Sequence, residues 1–365
     1  MTNIPPLKIG NLEINPPIIQ GGMGIRVSGA KLASAVANTG CAGVIASTGI
    51  GMFEELRGDD LWAFNGESLR GEIRKARSLS KGIIGVNIMV ALTDYENLVK
   101  VSVEENVDMI ICGAGLPLEL PKFLNGKDIK LIPIVSSAKA LALIIKRWKG
   151  RYDKMPDAVI VEGIHAGGHL GYSAESLEDG TAMGLEEIVK EVVELSNSFE
   201  NKIPVIAAGG IFDGEDIARL LKLGASGVQM ATRFVCTDEC DVNIKFKQAY
   251  INAGPDDITI IKSPVGLPGR VITNNFVKKI KQGLTVPFKC VYKCLRTCDP
   301  GKAPYCIAKV LSNASMGNLD ESFVFAGSNA YKCKEIVSVK KLVEQLTEEL
   351  KTALAATQAV VANPA

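Results

Sequence analysis

Between Ile203 and Thr232 the chain reads IPVIAAGGIFDGEDIARLLKLGASGVQMAT. An apolar run ends in two glycines, an amphipathic segment follows, and a second apolar run ends in Ala-Thr. The apolar residues are continuous rather than alternating, which suits strands buried on both faces of a parallel sheet covered by helices. Asp213 is placed to cap the helix GEDIARLLKL, and Gly224 falls just past its end. The stretch is a strand–helix–strand unit, and a helical crossover makes its two strands parallel.

The same pattern recurs upstream. The runs are PPIIQ (16–20), AGVIA (42–46), IIGVNIM (83–89), DMIICG (108–113), LIPIVS (131–136) and DAVIVEG (157–163). With IPVIAAGG (203–210) and GVQMAT (227–232) they number eight, each followed by a helical pattern. Thr93 and Glu96 have the spacing of a capping box ahead of NLVKVSVEE. Eight repeats over residues 16–235 predict an α/β fold, a (β/α)8 TIM barrel. A doubly wound open sheet is the alternative, and no G-x-G-x-x-G opens the first unit to support it. The stretch 51–80, rich in glycine and charge, reads as a long loop with a short helix.

After Thr232 the pattern breaks. The barrel is expected to occupy residues 1–238. Residues 239–336, with helical stretches, the Pro/Gly-rich SPVGLPGR and a cysteine cluster, read as an inserted, mostly helical lid over the barrel mouth. An amphipathic helix at 337–354 closes the barrel, and the tail ATQAVVANPA is expected to fray.

Bulk properties set the class. The 365 residues are 47% hydrophobic and 22% charged, as in an ordinary globular protein. A net charge of +1 implies neither a nucleic-acid nor a membrane partner. No secretory signal or membrane span is visible, so a cytoplasmic protein with reduced thiols is expected.

In a barrel, function gathers at the C-terminal strand ends. There stand Gln20-Gly21-Gly22-Met23-Gly24, Asn87, Glu162-Gly163, Ala208-Gly209-Gly210 and Gln229-Met230-Ala231-Thr232. The glycines after strand seven, with the Thr232 hydroxyl after strand eight, are placed to bind phosphate. The alternative is that Gly209 and Gly210 only make a turn. Both histidines, His165 and His169, lie in VIVEGIHAGGHLGY (159–172). Gly167 and Gly168 between them argue against a helix, and so against a metal pair at i and i+4. His169, at the barrel mouth, is the candidate hydrogen-bond or proton donor; His165 reads as a substrate-rim residue. Cys290, Cys294, Cys298 and Cys306 have the spacing C-x3-C-x3-C-x7-C, which matches no standard zinc or ferredoxin pattern. They are expected as thiols along a lid helix, with no metal. A metal or iron–sulfur site and a redox pair are the alternatives.

Together PIIQGGMG, GVNIM, EGIHAGGHLG, PVIAAGGI and GVQMATRFVCTDEC resemble the nitronate monooxygenase family, formerly 2-nitropropane dioxygenases. That family includes enoyl-acyl-carrier-protein reductase II and some NAD(P)H:quinone reductases, and the resemblance covers roughly residues 5–350. It implies noncovalent FMN on a TIM barrel. Gly21, Gly22 and Met23 would lie against the isoalloxazine, and Asn87 and Glu162 would contact the ring or ribityl chain. Gly168, Gly209, Gly210, Gln229, Met230, Ala231 and Thr232 would hold the ribityl phosphate and nearby atoms. His169 matches the catalytic histidine. Two positions depart: His165 stands where Glu, Ser or Leu is commoner, and Ala231 where Gly is commoner.

The resemblance implies a small-molecule substrate, with oxidation of alkyl nitronates by O2 as the first reading. Enoyl-thioester reduction with NADH or NADPH, on acyl-carrier-protein substrates, is the second. A homodimer is compatible with either. NAD(P)H:quinone reduction is a further alternative, and a non-redox barrel binding a sugar phosphate, and a flavin-binding subunit of a lipid or polyketide assembly, are readings of other classes.

Overall fold

The structure, a computed structural model, describes residues 4–52 and 61–362. A hairpin opens it, β1 (Leu7–Ile9) and β2 (Leu12–Ile14), paired antiparallel. Then follow β3 (Ile18–Gln20), α1 (Ala30–Ala37), β4 (Gly43–Ala46), α2 (Leu61–Leu79), β5 (Ile84–Met89), α3 (Tyr95–Glu104) and β6 (Met109–Gly113). Next are β7 (Lys130–Val135), α4 (Ala138–Tyr152), β8 (Val159–Glu162), β9 (Gly168–His169), α5 (Ala174–Glu178) and α6 (Leu185–Asn197). β10 (Val205–Ala208), α7 (Gly214–Lys222), β11 (Gly227–Met230) and α8 (Thr232–Val235) complete the repeats. The remainder is α9 (Ile244–Asn252), β12 (Ile258–Lys262), β13 (Pro268–Ile272), α10 (Asn275–Lys281), α11 (Ile307–Ser315) and α12 (Val339–Ala362).

Each of the eight apolar runs forms a strand. They make one parallel sheet in the order β3-β11-β10-β8-β7-β6-β5-β4. A bridge from Ile19 to Ala42 closes the barrel, with Gln20 N donating to Ala42 O at 2.9 Å. The fully buried Gln20 side chain locks this seam: its Oε1 accepts from Val44 N at 3.0 Å, and its Nε2 donates to Gly21 O. Alternate residues along each strand face opposite ways. Ile19, Val44, Ile111, Ile132, Ile160 and Ile206 fill the interior, where Leu7, Ile9 and Ile14 of the β1–β2 hairpin join them. Ile18, Ile45, Ile110, Leu131, Val159 and Val205 pack outward under the helices. Burial on both faces explains the continuous apolar runs.

Local signals held where caps were strong. Asp213 accepts from Asp216 N at 2.9 Å, and Gly224 follows α7 with φ +98°. The Thr93–Glu96 capping box does not form. Asp94 is the N-cap residue, and Thr93 Oγ1 instead donates to Lys293 O at 2.7 Å, tying this loop to the lid. The expected short helix within 51–80 is the long α2. Its Leu69, Ile73 and Ala76 are buried, and Gly66 lies against Asn97 and Val101 of α3. Helix packing, not a loop, accounts for that glycine. Residues 53–60 of the expected loop lie outside the described residues. Between β6 and β7 there is only a 3-10 turn, Leu120–Phe123, where Gly115, Pro117 and Pro121 prevent a longer helix. Helix α12 runs to Ala362, so the tail is helical to that point.

Residues 239–336 are mixed rather than mostly helical. β12 and β13 form an antiparallel hairpin that takes β9 as a third strand. SPVGLPGR is the turn and second strand of that hairpin. Ile261, Val271, Phe276, Tyr305, Val310 and Phe323 form a small core of their own. The four clustered cysteines do not lie along a lid helix. From the end of α10 to Cys306 the chain is neither helix nor strand, and Cys306 is the N-cap residue of α11.

Candidate active site

The C-terminal strand ends open into one chamber of about 290 Å³. Gly21, Gly22, Met23, Asn87, Glu162, His165, Gly168, His169, Gly209, Gly210, Gln229, Met230, Ala231 and Thr232 all line it. The barrel alone does not close the chamber. Ile25, Met52, Leu92, Leu295, Ile307 and Leu311 supply an apolar wall, and Phe325, Ala326 and Gly327 cross the mouth.

On the first strand's loop the backbone is already engaged. Gly21 N donates to Met230 O at 2.8 Å, and Met23 N donates to Ser28 Oγ at 2.8 Å. A planar ligand there meets the loop by its surface rather than by these two N–H groups. Gly22 is required by a protein neighbour, because a Cβ would come 2.4 Å from Asn87 Cβ. Asn87 is itself fixed by a bond from Nδ2 to Ile111 O at 3.3 Å.

His169 sits in β9, paired with Gly269 of β13. Its Nε2 lies 2.7 Å from Ser263 Oγ, and its ring meets Phe325 edge-on with centroids 4.9 Å apart. Burial lowers its pKa from the ordinary 6.5 to about 4, so the imidazole is neutral at pH 7. His165 is exposed in the preceding turn and lines the chamber. Partial enclosure of its ring and the nearby Arg270 lower its pKa too.

Arg270 organises this turn. It is buried, and its Nη1 donates to Ile164 O and Ala166 O, both at 2.6 Å. No described carboxylate pairs with it, and burial lowers its pKa. Glu162 closes β8 beneath the turn. Surrounded by protein, its carboxyl has a pKa raised to about 7 by burial. The chamber therefore holds a neutral imidazole and a carboxyl that is partly protonated at neutral pH.

Gly209 and Gly210 have φ of +95° and +81°, and their Cα faces are packed against the histidine turn. A Cβ on Gly210 would come 2.8 Å from His165 Cβ. The turn reading of these glycines and a ligand role coexist, since both residues also face the chamber. Opposite them, Gly327 approaches Thr232 so closely that a Cβ would lie 2.7 Å from Oγ1. The helix after β11 is a single turn, so a macrodipole adds little here; N–H groups and the Thr232 hydroxyl are the available donors. At Gly168 an added Cβ would meet no protein atom within 4 Å.

Ser263, Arg270 and the Phe325–Gly327 segment were not anticipated from the sequence. A serine between Lys262 and Pro264 and a lone Phe carry no local signal. The visible hint was the alternation around SPVGLPGR, a hairpin pattern. Among the described residues, no three His, Cys, Asp or Glu side chains converge to hold a single metal ion, and no helix is long and apolar enough to cross a membrane.

Comparison with known proteins agrees with this architecture. Over 272 residues the chain is 32% identical to a (3aS,4S,5R,7aS)-5-hydroxy-7a-methyl-1-oxo-octahydro-1H-indene-4-carboxyl-CoA dehydrogenase of Mycobacterium tuberculosis, covering 74% of this chain and 67% of the relative. It is 30% identical over 307 residues to a protein of Staphylococcus aureus described as a probable nitronate monooxygenase, covering 74% and 79%. The solved structure of FabK from Thermotoga maritima superposes with a TM-score of 0.74 at 30% identity, covering 94% of this chain and 95% of that one. The family model described as nitronate monooxygenase matches residues 6–349, which span the barrel, the chamber and the lid sheet. The chain therefore belongs to the nitronate monooxygenase family of oxidoreductases.

Proposed function

We propose that the protein binds FMN noncovalently in the chamber and oxidises an alkyl nitronate with O2. The residues fit such a cofactor. Glycines 209, 210 and 327 with Thr232 form a side-chain-poor cradle for a phosphate, and the open space at Gly168 is room that a Cβ would fill. Gly21, Gly22, Met23 and Asn87 provide a flat wall for the ring; Gln229, Met230 and Ala231 line the path between. FMN, when bound, supplies the acceptor for substrate electrons and returns them to dioxygen.

His169 carries the choice of substrate. An imidazole with a pKa of about 4 is a weak base, poorly matched to removing a proton from a neutral carbon acid. A nitronate arrives already deprotonated. It needs a hydrogen-bond donor and a dry, apolar site. A neutral His169, held by Ser263 and Phe325, offers both without an ion pair. Arg270, whose guanidinium holds the turn's carbonyls, places positive potential behind the turn that favours an anion.

A second reading, reduction of an enoyl thioester by NADH or NADPH, draws on the long apolar wall of Met52, Leu92, Ile307 and Leu311, which suits an acyl chain. In that reaction Glu162, with its pKa near 7, is the group suited to deliver a proton.

Acid release should yield one FMN per chain; FAD or no flavin refutes the cofactor. Anaerobic mixing with a nitronate should bleach the flavin without pyridine nucleotide, and air should restore its colour. Bleaching by NADH or NADPH alone, with turnover only on an enoyl thioester, selects the second reading instead.

A further inference from the structure

The segment between α10 and α11 needs an explanation that the chamber does not supply. Loops longer than about 12–15 residues without helix or strand are uncommon in compact domains. This one runs from Gln282 to Cys306. It is tied to the barrel at one place, where Arg296 N donates to Ala91 O at 3.0 Å, Thr93 N to Cys294 O at 3.1 Å and Thr93 Oγ1 to Lys293 O at 2.7 Å, and to itself by Val286 N to Pro304 O at 2.7 Å. It carries Cys290, Cys294, Cys298 and Cys306, four of the nine cysteines.

The fold brings these four together. Cys294 and Cys306 pack on the same small cluster of Ile25, Met52 and Ala308. Cys298 has Cys290 and Cys306 as electrostatic neighbours, and Cys294 has all three others. Lys293, with φ +41°, directs its N–H to Cys290 Sγ at 3.4 Å, the kind of bond that stabilises a sulfur carrying negative charge. Lys289, Lys293, Arg296 and Lys302 surround the cysteines in sequence, against the single acidic Asp299. Burial and the neighbouring sulfurs raise the Cys294 and Cys298 thiols, so a bound cation centre rather than the lysines has to hold them as thiolates.

What each metal demands of its ligands discriminates among them. A single zinc ion holds every sulfur at ~2.3 Å, which sets the sulfurs roughly 4 Å from one another. Among the described residues no three such side chains converge that closely. A four-iron cluster interposes iron and sulfide between its thiolates and accommodates a wider set. We infer that Cys290, Cys294, Cys298 and Cys306 form a four-thiolate site for an iron–sulfur cluster of the [4Fe–4S] class, built into the lid and abutting the chamber. Cys294 belongs both to the site and to the chamber wall. The site staples the loop where hydrogen bonds are sparse, and it lies beside the compartment assigned above to the flavin.

The test is purification of the full-length protein without oxygen, followed by anaerobic incubation with iron, sulfide and a thiol reductant, then desalting. Roughly four iron and four sulfide per chain are expected, with broad visible absorption that dithionite bleaches. Cys298→Ser and Cys290→Ser should each lose most of the iron and sulfide while keeping wild-type circular dichroism. About one zinc per chain with no sulfide, or neither metal after reconstitution of the wild type, overturns the inference. So does full iron retention in both variants. Iron and sulfide are counted independently of flavin, so failure here leaves the nitronate reading standing.

Discussion

His169 should leave a pH signature on stability, and His169→Gln isolates it. In the unfolded chain an imidazole gains its proton as pH falls through about 6.5. In the folded protein His169 resists protonation until about pH 4, because its ring is enclosed by Phe325, Ser263 and the lid sheet. Between these values the unfolded state binds more protons, so stability falls as pH falls. At ~1.4 kcal/mol per pH unit, the gap amounts to about 3 kcal/mol, most of it lost by pH 4 and the rest as pH falls further through the folded pKa. Glutamine keeps a polar partner for Ser263 but cannot titrate. Urea unfolding of flavin-stripped wild type and variant, followed by circular dichroism at steps from pH 8 to pH 4, gives two curves. Other titrating groups contribute equally to both, so the difference between the curves should change by about 3 kcal/mol, in favour of the variant at acid pH. Parallel curves would show that the imidazole titrates normally, and the argument for a neutral hydrogen-bond donor would fail with them.

Glu162→Gln should act in the opposite direction: its carboxyl, near pKa 7, loses stability as pH rises from about 4.5 to 7, so the variant should gain on wild type by roughly 3 kcal/mol at pH 8 in the same assay. Gly210→Asp, which sets a side chain against His165 and a negative charge beside the phosphate cradle, should purify without flavin; a full complement of bound flavin would place the phosphate elsewhere. Arg270→Met leaves the carbonyls of Ile164 and Ala166 without their donor and should cost about 2–4 kcal/mol in urea unfolding. An unchanged midpoint would mean that the turn holds itself.

The barrel was legible because burial on both sheet faces writes a continuous apolar run, and eight such runs leave little else to build. The strand-end residues followed from position alone, and all but Gln20, buried in the barrel seam, and Gly163 line one chamber. What escaped has physical reasons. The β1–β2 hairpin alternates apolar and polar residues about Gly10-Asn11, a signal present but outweighed by the stronger runs. Glycines 66 and 71 disguised α2: Gly66 sits at a helix contact and Gly71 faces open space, and neither looks different in sequence from a glycine wanted for a turn. β13 contains Pro268 and Gly269, both poor strand formers. Its glycine is there because a Cβ would press on Phe325 at 3.0 Å. Ser263 and Phe325 reach His169 only after the chain has folded back across some ninety and more residues, and no local pattern records that.

The pairing of β9 with β13 makes the histidine a shared possession of two modules. Its backbone leaves the barrel after Glu162, but its register is set by a hairpin encoded far downstream. Strand register moves in steps of one residue, and each step turns a side chain to the opposite face. A single insertion or deletion within 263–267 would therefore change what position 169 faces across the lid sheet, Ser263 first, without touching any barrel residue. Drift in the insertion becomes a route by which one scaffold acquires different chemistry, and an engineer who grafts a foreign lid onto this barrel transplants the histidine's aim along with it.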